Sequence, residues 1–169
     1  ALAFAARWLA FRHGSMPDPY DLPFVTMLDR IVEEPATRGN LLVGWTGVDS
    51  AIHGLRRVQI FGNGERIVTS RDPGSEFSRT RRTMLRPHEM QALVEAIRHS
   101  AVWLAAPLRE QGLPDEPRPA FEVQLGIGGP FSRQVSMWNG EWRRGPSSHL
   151  AELMDRLASD HIGESMPPA

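Results

Sequence analysis

The sequence predicts an α+β domain in which an antiparallel sheet of about five strands carries helices on one face. Two observations predict this fold. An alternating apolar run broken by Asn-Gly occurs twice, at 57–66 and 134–143, and each run is followed downstream by a segment with helical periodicity. Asn-Gly suits a two-residue hairpin turn, because both central residues need a positive φ, which Gly adopts freely and Asn tolerates. The chain is therefore predicted to contain two hairpin-plus-helix units.

The length and charge of the chain limit the alternatives. Its 169 residues are enough for one domain with a full core, and we predict a single α+β domain over 22–163, followed by a flexible tail over 164–169. The formal net charge is −1, which argues against a protein that mainly coats nucleic acid or an anionic membrane. Cysteine is absent, so no disulfide framework or thiolate metal site is expected.

Residues 1–21 are predicted to be an apolar N-terminal segment and a loop. Residues 2–12 are apolar almost all round if helical, so we expect them to be buried or docked on a partner. No run approaches the roughly 20 apolar residues that a membrane span needs. The chain starts without Met, and the tail of a signal peptide and a cloning scar at 14–16 are both compatible with this start.

The first half of the remaining chain is predicted to run helix, strand, hairpin. Apolar residues from Phe24 to Ile31 recur at helical spacing after Pro23, with a strand as the less favoured alternative. Residues 41–47 form an apolar run typical of a strand, and 57–61 pairs with 66–70 in the first hairpin. The Arg-rich stretch 72–83 is either an exposed loop or an edge strand.

The second half is predicted to run helix, connection, strand, hairpin, helix. The helix begins after Pro87 and extends to about Ala106, with its apolar residues on one stripe. Four prolines indicate that 107–119 is an extended surface connection. Apolar and polar residues alternate over 121–127, which is typical of a strand with one solvent-exposed face. After the hairpin at 134–143, the last helix begins at Ser147 or Ser148 and ends at Gly163.

No pattern in the chain points to a known catalytic chemistry. The glycines at 126–129 precede a predicted strand rather than a helix, so they do not match a dinucleotide fingerprint, and the chain has no lysine for a P-loop. His88-Glu89 resembles the start of a zinc motif, but Ala92 stands where the second histidine is needed. We therefore expect no cofactor, no metal site and no assigned catalytic residue.

An arginine cluster is the main charge asymmetry. Eight arginines lie between Arg56 and Arg86 against three acidic residues. If their side chains converge on one sheet face, they could bind a phosphate backbone, an anionic ligand or an acidic protein, and the alternative is a solvated edge. No RNP-like aromatic pattern accompanies them, which argues against a single-stranded RNA platform. The predicted anion-binding residues are Arg57, Arg66, Arg79, Arg81 and Arg82.

Tryptophans flank the second Asn-Gly. An exposed pair beside two arginines would make a protein-binding anchor, whereas core packing is the alternative that the sequence leaves open. The apolar N-terminal segment adds two further aromatic candidates. The predicted partner-binding residues are Trp8, Phe11, Trp138, Trp142, Arg143 and Arg144.

These observations favour a non-enzymatic protein-interaction or accessory subunit of a larger bacterial complex. The order of hairpin, helix after a proline and second hairpin is similar to that of small bacterial domains, and no motif in it is specific to one family. One alternative is a binder of an anionic small ligand, or an enzyme acting on one, at the Arg-rich sheet region. A second is a nucleic-acid accessory protein. The absence of cysteine fits a cytoplasmic location, although many secreted proteins also lack it.

Overall fold

A computed structural model describes residues 21–104, 117–127 and 129–159 of the chain. It shows an α+β fold with one six-stranded antiparallel sheet in the order β4-β3-β2-β1-β5-β6. The predicted helix over 2–12, with Trp8 and Phe11, and the predicted tail over 164–169 lie outside the described residues, as do most of the proline-rich connection and the end of the last helix.

The strands over 42–50, 54–61, 65–71 and 120–124 overlap the segments predicted as strands. The alternative of an edge strand within 72–83 is the one that the structure adopts, so the sheet has six strands where about five were predicted. The strands are β1 (Leu42–Ser50), β2 (Gly54–Phe61), β3 (Glu65–Arg71), β4 (Ser78–Met84), β5 (Ala120–Gln124) and β6 (Ser132–Ser136).

The described residues form four α-helices, one before the first strand and three between or after the strands. They are α1 (Asp21–Glu33), α2 (Pro87–Ser100), the single turn α3 (Asn139–Trp142) and α4 (Ser148–Ala158). Short 3₁₀ turns occupy Pro35–Asn40, Val102–Leu104, Gly129–Phe131 and Gly145–Ser147. The helical alternative for the segment after Pro23 is confirmed. Helix α2 ends earlier than predicted, because Ala101 takes a left-handed backbone with φ +47° and turns the chain.

The first predicted hairpin is confirmed, with a different turn. Three residues, Gly62–Asn63–Gly64, separate β2 from β3, and the backbone N–H of Gly64 donates to the Phe61 carbonyl at 2.9 Å. A two-residue turn would require a positive φ at both Asn63 and Gly64, but of these two only Gly64 has one, at +91°. The Asn63 side chain instead accepts a hydrogen bond from the Glu65 backbone N–H at 2.9 Å.

The second predicted hairpin is wrong. Asn139-Gly140 begins the helical turn α3, and the chain entering it continues to pair with the segment before β5. The backbone N–H groups of Met137 and Asn139 donate to the carbonyls of Pro119 and Pro117 at 3.3 and 3.1 Å. Because this backbone is already paired, residues 137–143 cannot fold back on β6, and the partner of β6 is β5.

Helices α1, α2 and α4 pack on one face of the sheet. Directly paired strand residues share a face, so the register Phe121–Trp45–Val58–Val68 forms one buried row across four strands. Below this row, Val123, Val43 and Ile60 form a second buried row. Both rows belong to the same core cluster as the buried stripes of the three helices. We call this the covered face, and the opposite one the open face.

A buried arginine joins the helices to the β2–β3 loop. Arg38 is 6% exposed, and its Nε and Nη2 donate to the carbonyls of Ile31 and Val32 at the end of α1. The same Nη2 donates to Gln91 on α2. Burial lowers the pKa of the Arg38 guanidinium, and the charge of Glu95 partly opposes that shift. The carbonyls at a helix C-terminus favour a cation, which makes this guanidinium a cap for α1.

The backbone of Arg38 also lies against Gly62. A Cβ added at Gly62 would stand 1.6 Å from the Arg38 carbonyl oxygen, and the Gly62 N–H donates to the Leu41 carbonyl at 2.9 Å. Only a residue without a side chain fits this approach, because backbone occupies the space on the other side.

We predict that Gly62→Ala destabilises the protein by about 3 kcal/mol, because the new methyl group must displace the Arg38 backbone. Gly39→Ala is the matched control, since nothing lies within 4 Å of its added Cβ, and its effect should stay below about 1 kcal/mol. Urea unfolding followed by circular dichroism measures both. Equal stabilities of the two variants would contradict the close approach.

Candidate functional site

Trp142, predicted as a partner-binding residue, lies in the core. Its side chain is fully buried, with its ring centroid 4.9 Å from that of Trp45 at an interplanar angle of 82° and 6.4 Å from that of Phe121. The indole Nε1 donates to the Pro119 carbonyl at 3.0 Å. The structure therefore supports the core-packing alternative for this tryptophan, because a ring enclosed on all sides offers no surface to a partner.

The other predicted residues near α3 are partly or fully accessible. Trp138 is half-buried, with the Arg118 guanidinium 5.5 Å from its ring centroid. Arg143 and Arg144 are both exposed, and Arg143 forms an ion pair with Asp155 on α4. Trp138 is thus in contact with solvent while Trp142 lies in the core, and they do not form an exposed pair.

Asp155 connects the core to this surface. One carboxylate oxygen accepts a hydrogen bond from the Trp45 indole at 2.8 Å, and the other pairs with Arg143. The carboxylate therefore satisfies a buried donor on the central strand β1 and holds a surface arginine at the same time. This link fixes α4 over the centre of the sheet.

Arg66, predicted as an anion-binding residue, is also buried. It is 2% exposed on the covered face, and its Nη2 donates to the Ser159 carbonyl at 3.4 Å, where α4 ends. This position separates Arg66 from the exposed arginines of the cluster. Like Arg38 on α1, it places a guanidinium at a helix C-terminus, where the helix dipole favours a cation.

The remaining predicted arginines are exposed and divide between the two sides of the sheet. Arg57 and Arg82 share the open face, while the register places Arg79 and Arg81 on the opposite side. Three of them meet carboxylates: Arg57 lies 3.8 Å from Asp49, Arg79 2.6 Å from Asp72, and Arg82 3.3 Å from Glu65. The cluster therefore does not converge on one face. Its densest part is the strand β4, which carries Arg79, Arg81 and Arg82.

A polar groove lies beside α3 and the β-bulge of β1. Its volume is about 360 Å³, and Pro117 and Pro119 form part of its wall. Arg56, Arg143 and His53 line it together with the Asp155 carboxylate. We call it the proline groove. The sequence assigned Arg56 only to the general cluster, and no local pattern signalled that it would lie near Arg143, more than eighty positions away.

A second groove of about 260 Å³ lies on the open face above Gly44. It exists because Gly44 has no side chain between β2 and β5, and its lining includes Arg57, Gln59, Glu122 and Gln134. Arg57 Nε donates to the Thr46 hydroxyl at 3.2 Å. Glu122 offsets the charge of Arg57 in this groove, whereas in the proline groove one carboxylate, that of Asp155, stands against two arginines. The proline groove is therefore the better suited of the two to an anion.

Two large apolar side chains are exposed at one end of the sheet. Ile52, in the β1–β2 turn, is 74% exposed, and Phe77, before β4, is 83% exposed. Their loops are neighbours, because the Gly74 N–H donates to the Ala51 carbonyl at 3.1 Å. We call this surface the apolar turn end. The sequence signal was available: each residue is a large hydrophobe in a stretch otherwise rich in turn formers.

No protein-family model and no curated protein matches the chain. Within the described ranges, no three histidine, aspartate or glutamate side chains are grouped so that they could hold a metal ion. None of the helices in this part of the chain has the length and apolar character of a membrane span.

We predict that Asp155→Ala destabilises the protein by about 1 to 3 kcal/mol, because it leaves the buried Trp45 indole N–H without its acceptor. Glu152→Ala, an exposed position on the same helix, is the control and should change stability by less than about 0.5 kcal/mol. Chemical unfolding monitored by tryptophan fluorescence measures both. An Asp155→Ala protein as stable as the control would contradict the role of this bond.

Proposed function

We propose that this protein is a non-enzymatic interaction or accessory subunit of a larger complex, and that the apolar turn end is one of its contact surfaces. The observation that carries the proposal is the exposure of Ile52 and Phe77 on two hydrogen-bonded loops. Single exposed hydrophobes are ordinary on protein surfaces, but an aliphatic and an aromatic side chain on adjoining loops expose apolar area that a partner can bury.

The shape of the apolar turn end favours a protein partner. Hydrogen bonds hold each loop, since the His53 N–H donates to the Ser50 hydroxyl at 2.9 Å and the Phe77 N–H donates to the Ser75 hydroxyl at 3.1 Å. These bonds restrict the backbone before binding, which reduces the freedom that is lost when a partner covers the two side chains. Aromatic anchors of this kind contribute much of the free energy at protein interfaces. Trp8 and Phe11 belong to the same proposal on sequence grounds alone.

We predict that the double variant Ile52→Ser/Phe77→Ser loses its partner while it folds normally. The bait protein is purified from native cells as wild type, as this double variant, and as the control Ile127→Ser. Ile127 is 86% exposed and follows β5 at the opposite end of the sheet. Quantitative mass spectrometry should show a stoichiometric partner whose recovery falls at least about tenfold only in the double variant.

Two results would contradict the proposal. The first is a clean monomer with no stoichiometric partner in any sample. The second is equal recovery of the same partner by the wild type and the double variant. Circular dichroism of all three proteins separates loss of binding from loss of folding.

We infer a second candidate function from the proline groove: binding of a small anionic ligand. Arg56 and Arg143 line the groove, and because Arg143 already pairs with Asp155, Arg56 supplies the net positive charge there. The groove walls exclude part of the solvent, which strengthens the attraction of this charge for an anion. This is the alternative that the arginine content of the sequence suggested. Neither arginine is among the five predicted to bind an anion, and Arg143 was predicted as a partner-binding residue.

For this candidate, inorganic pyrophosphate should raise the Tm of the wild type, since a ligand at about 100 times its Kd adds about 2.7 kcal/mol of stability. Arg56→Gln should abolish the shift. The control is Arg144→Gln, because Arg144 is exposed and does not line the groove. Equal shifts for the two variants would show that pyrophosphate does not bind in the groove.

A further inference from the structure

The strand β4 forms one border of the sheet. Its partner on one side is β3, and the strand order places no described strand on its other side. All of its side chains except Thr83 are exposed. One row of backbone N–H and C=O groups along seven residues is therefore directed away from the sheet, and such a row can pair with an additional strand.

The charges along β4 determine which strand can pair with it. The sequence from Ser78 to Met84 contains three arginines and no acidic residue. Arg79 and Arg81 lie on one side of the strand and Arg82 on the other, so a pairing strand meets a cation along both of its faces. A second copy of this strand would bring arginines next to arginines, which is unfavourable between directly paired strands. An acidic strand would be attracted.

The ion pairs already present on this border do not prevent an acidic strand from binding to the arginines. Arg79 and Asp72 are both about 70% exposed, and the Arg82 side chain is 72% exposed. Exposed pairs contribute little free energy, so a carboxylate from a partner can replace Asp72 at low cost. The Glu65 side chain is 31% exposed and can stay in place, while the exposed Arg82 meets a second carboxylate of the partner. Phe77 and Met84, 83% and 63% exposed, stand at the two ends of β4 and offer apolar contact to the same partner.

The opposite border of the sheet is less suitable. Strand β6 has five residues and one arginine, and the Arg133 guanidinium stacks on Phe24 at 4.8 Å from the ring centroid. Its positive charge is thus directed toward the helices. Of the two border strands, β4 is therefore both the longer and the more positively charged.

We propose that β4 binds an extended acidic segment of a partner protein as an additional strand of the sheet. This inference rests on the proposed function, since it assigns the chemistry of the partner and extends the contact surface from the apolar turn end along β4. Backbone hydrogen bonds would supply the affinity, and the three arginines would select carboxylate side chains at alternate positions.

The test uses three synthetic nine-residue peptides and the isotopically labelled full chain. The first peptide alternates glutamate with valine, the second replaces each glutamate with lysine, and the third is the acidic peptide with every backbone nitrogen methylated. NMR titration gives the Kd. Hydrogen exchange and cross-strand proton contacts locate the bound peptide.

The acidic peptide should bind, slow amide exchange in β4, and show cross-strand contacts to it. The lysine peptide and the methylated peptide should each bind at least tenfold more weakly. The triple variant Arg79→Ser/Arg81→Ser/Arg82→Ser should weaken binding of the acidic peptide to a similar degree. Its control is Arg30→Ser/Arg144→Ser/Arg156→Ser, which removes the same charge from exposed positions elsewhere and should retain the wild-type Kd.

Several results would overturn the proposal. Equal affinity for the methylated peptide would show attraction of charge without strand pairing. A single-stranded oligonucleotide that binds β4 more tightly than the acidic peptide would show that the arginines recognise nucleic acid. Self-association through β4 would show that its partner is a second copy of this chain. If the native partner depends on Ile52 and Phe77 while the acidic peptide fails to bind, the proposed function stands and the added strand does not.

Discussion

The buried guanidinium of Arg38 is the interaction on which the arrangement of the layers depends. Its side chain caps the end of α1 and bonds to α2, while its backbone fits against Gly62 in the β2–β3 loop. One residue thus connects two helices to the sheet. Because a planar fork donates several hydrogen bonds in fixed directions, lysine would not reproduce this arrangement. A charge in this position is also costly unless every donor is directed at an acceptor, which makes the geometry strict.

The same logic recurs at α4. Arg66 reaches the C-terminal end of that helix from β3, and Asp155, in its last turn, connects it to Trp45 and Arg143. Polar contacts near this end therefore orient the helix, while the apolar stripe supplies most of the favourable free energy. The all-arginine basic content of the chain is in part structural, since two arginines act as caps inside the fold and leave β4 as the exposed concentration of positive charge.

Local patterns were sufficient to predict most of the elements. The period of apolar residues identified α1, α2 and α4, an apolar run identified β1, and alternation identified β5, because these signals depend on residues close in sequence. The Asn-Gly pairs were not sufficient: Gly64 ends a hairpin loop, whereas Asn139-Gly140 starts a helical turn whose surroundings are set by Pro117 and Pro119. The candidate site was less predictable for the same reason. Burial of Trp142 and Arg66, and the meeting of Arg56 with Arg143, arise from pairing between distant segments.

The strand order has a consequence for how the chain folds during synthesis. Strands β1 to β4 form a meander of neighbours in sequence, so they can pair as soon as they emerge. The second side of β1 is paired only by β5, which begins about seventy residues after β1 ends and follows α2. Until β5 is made, one side of β1 has no partner strand. A ribosome pause after β4 would prolong that vulnerable interval, and a chaperone that shields β1 would act within it.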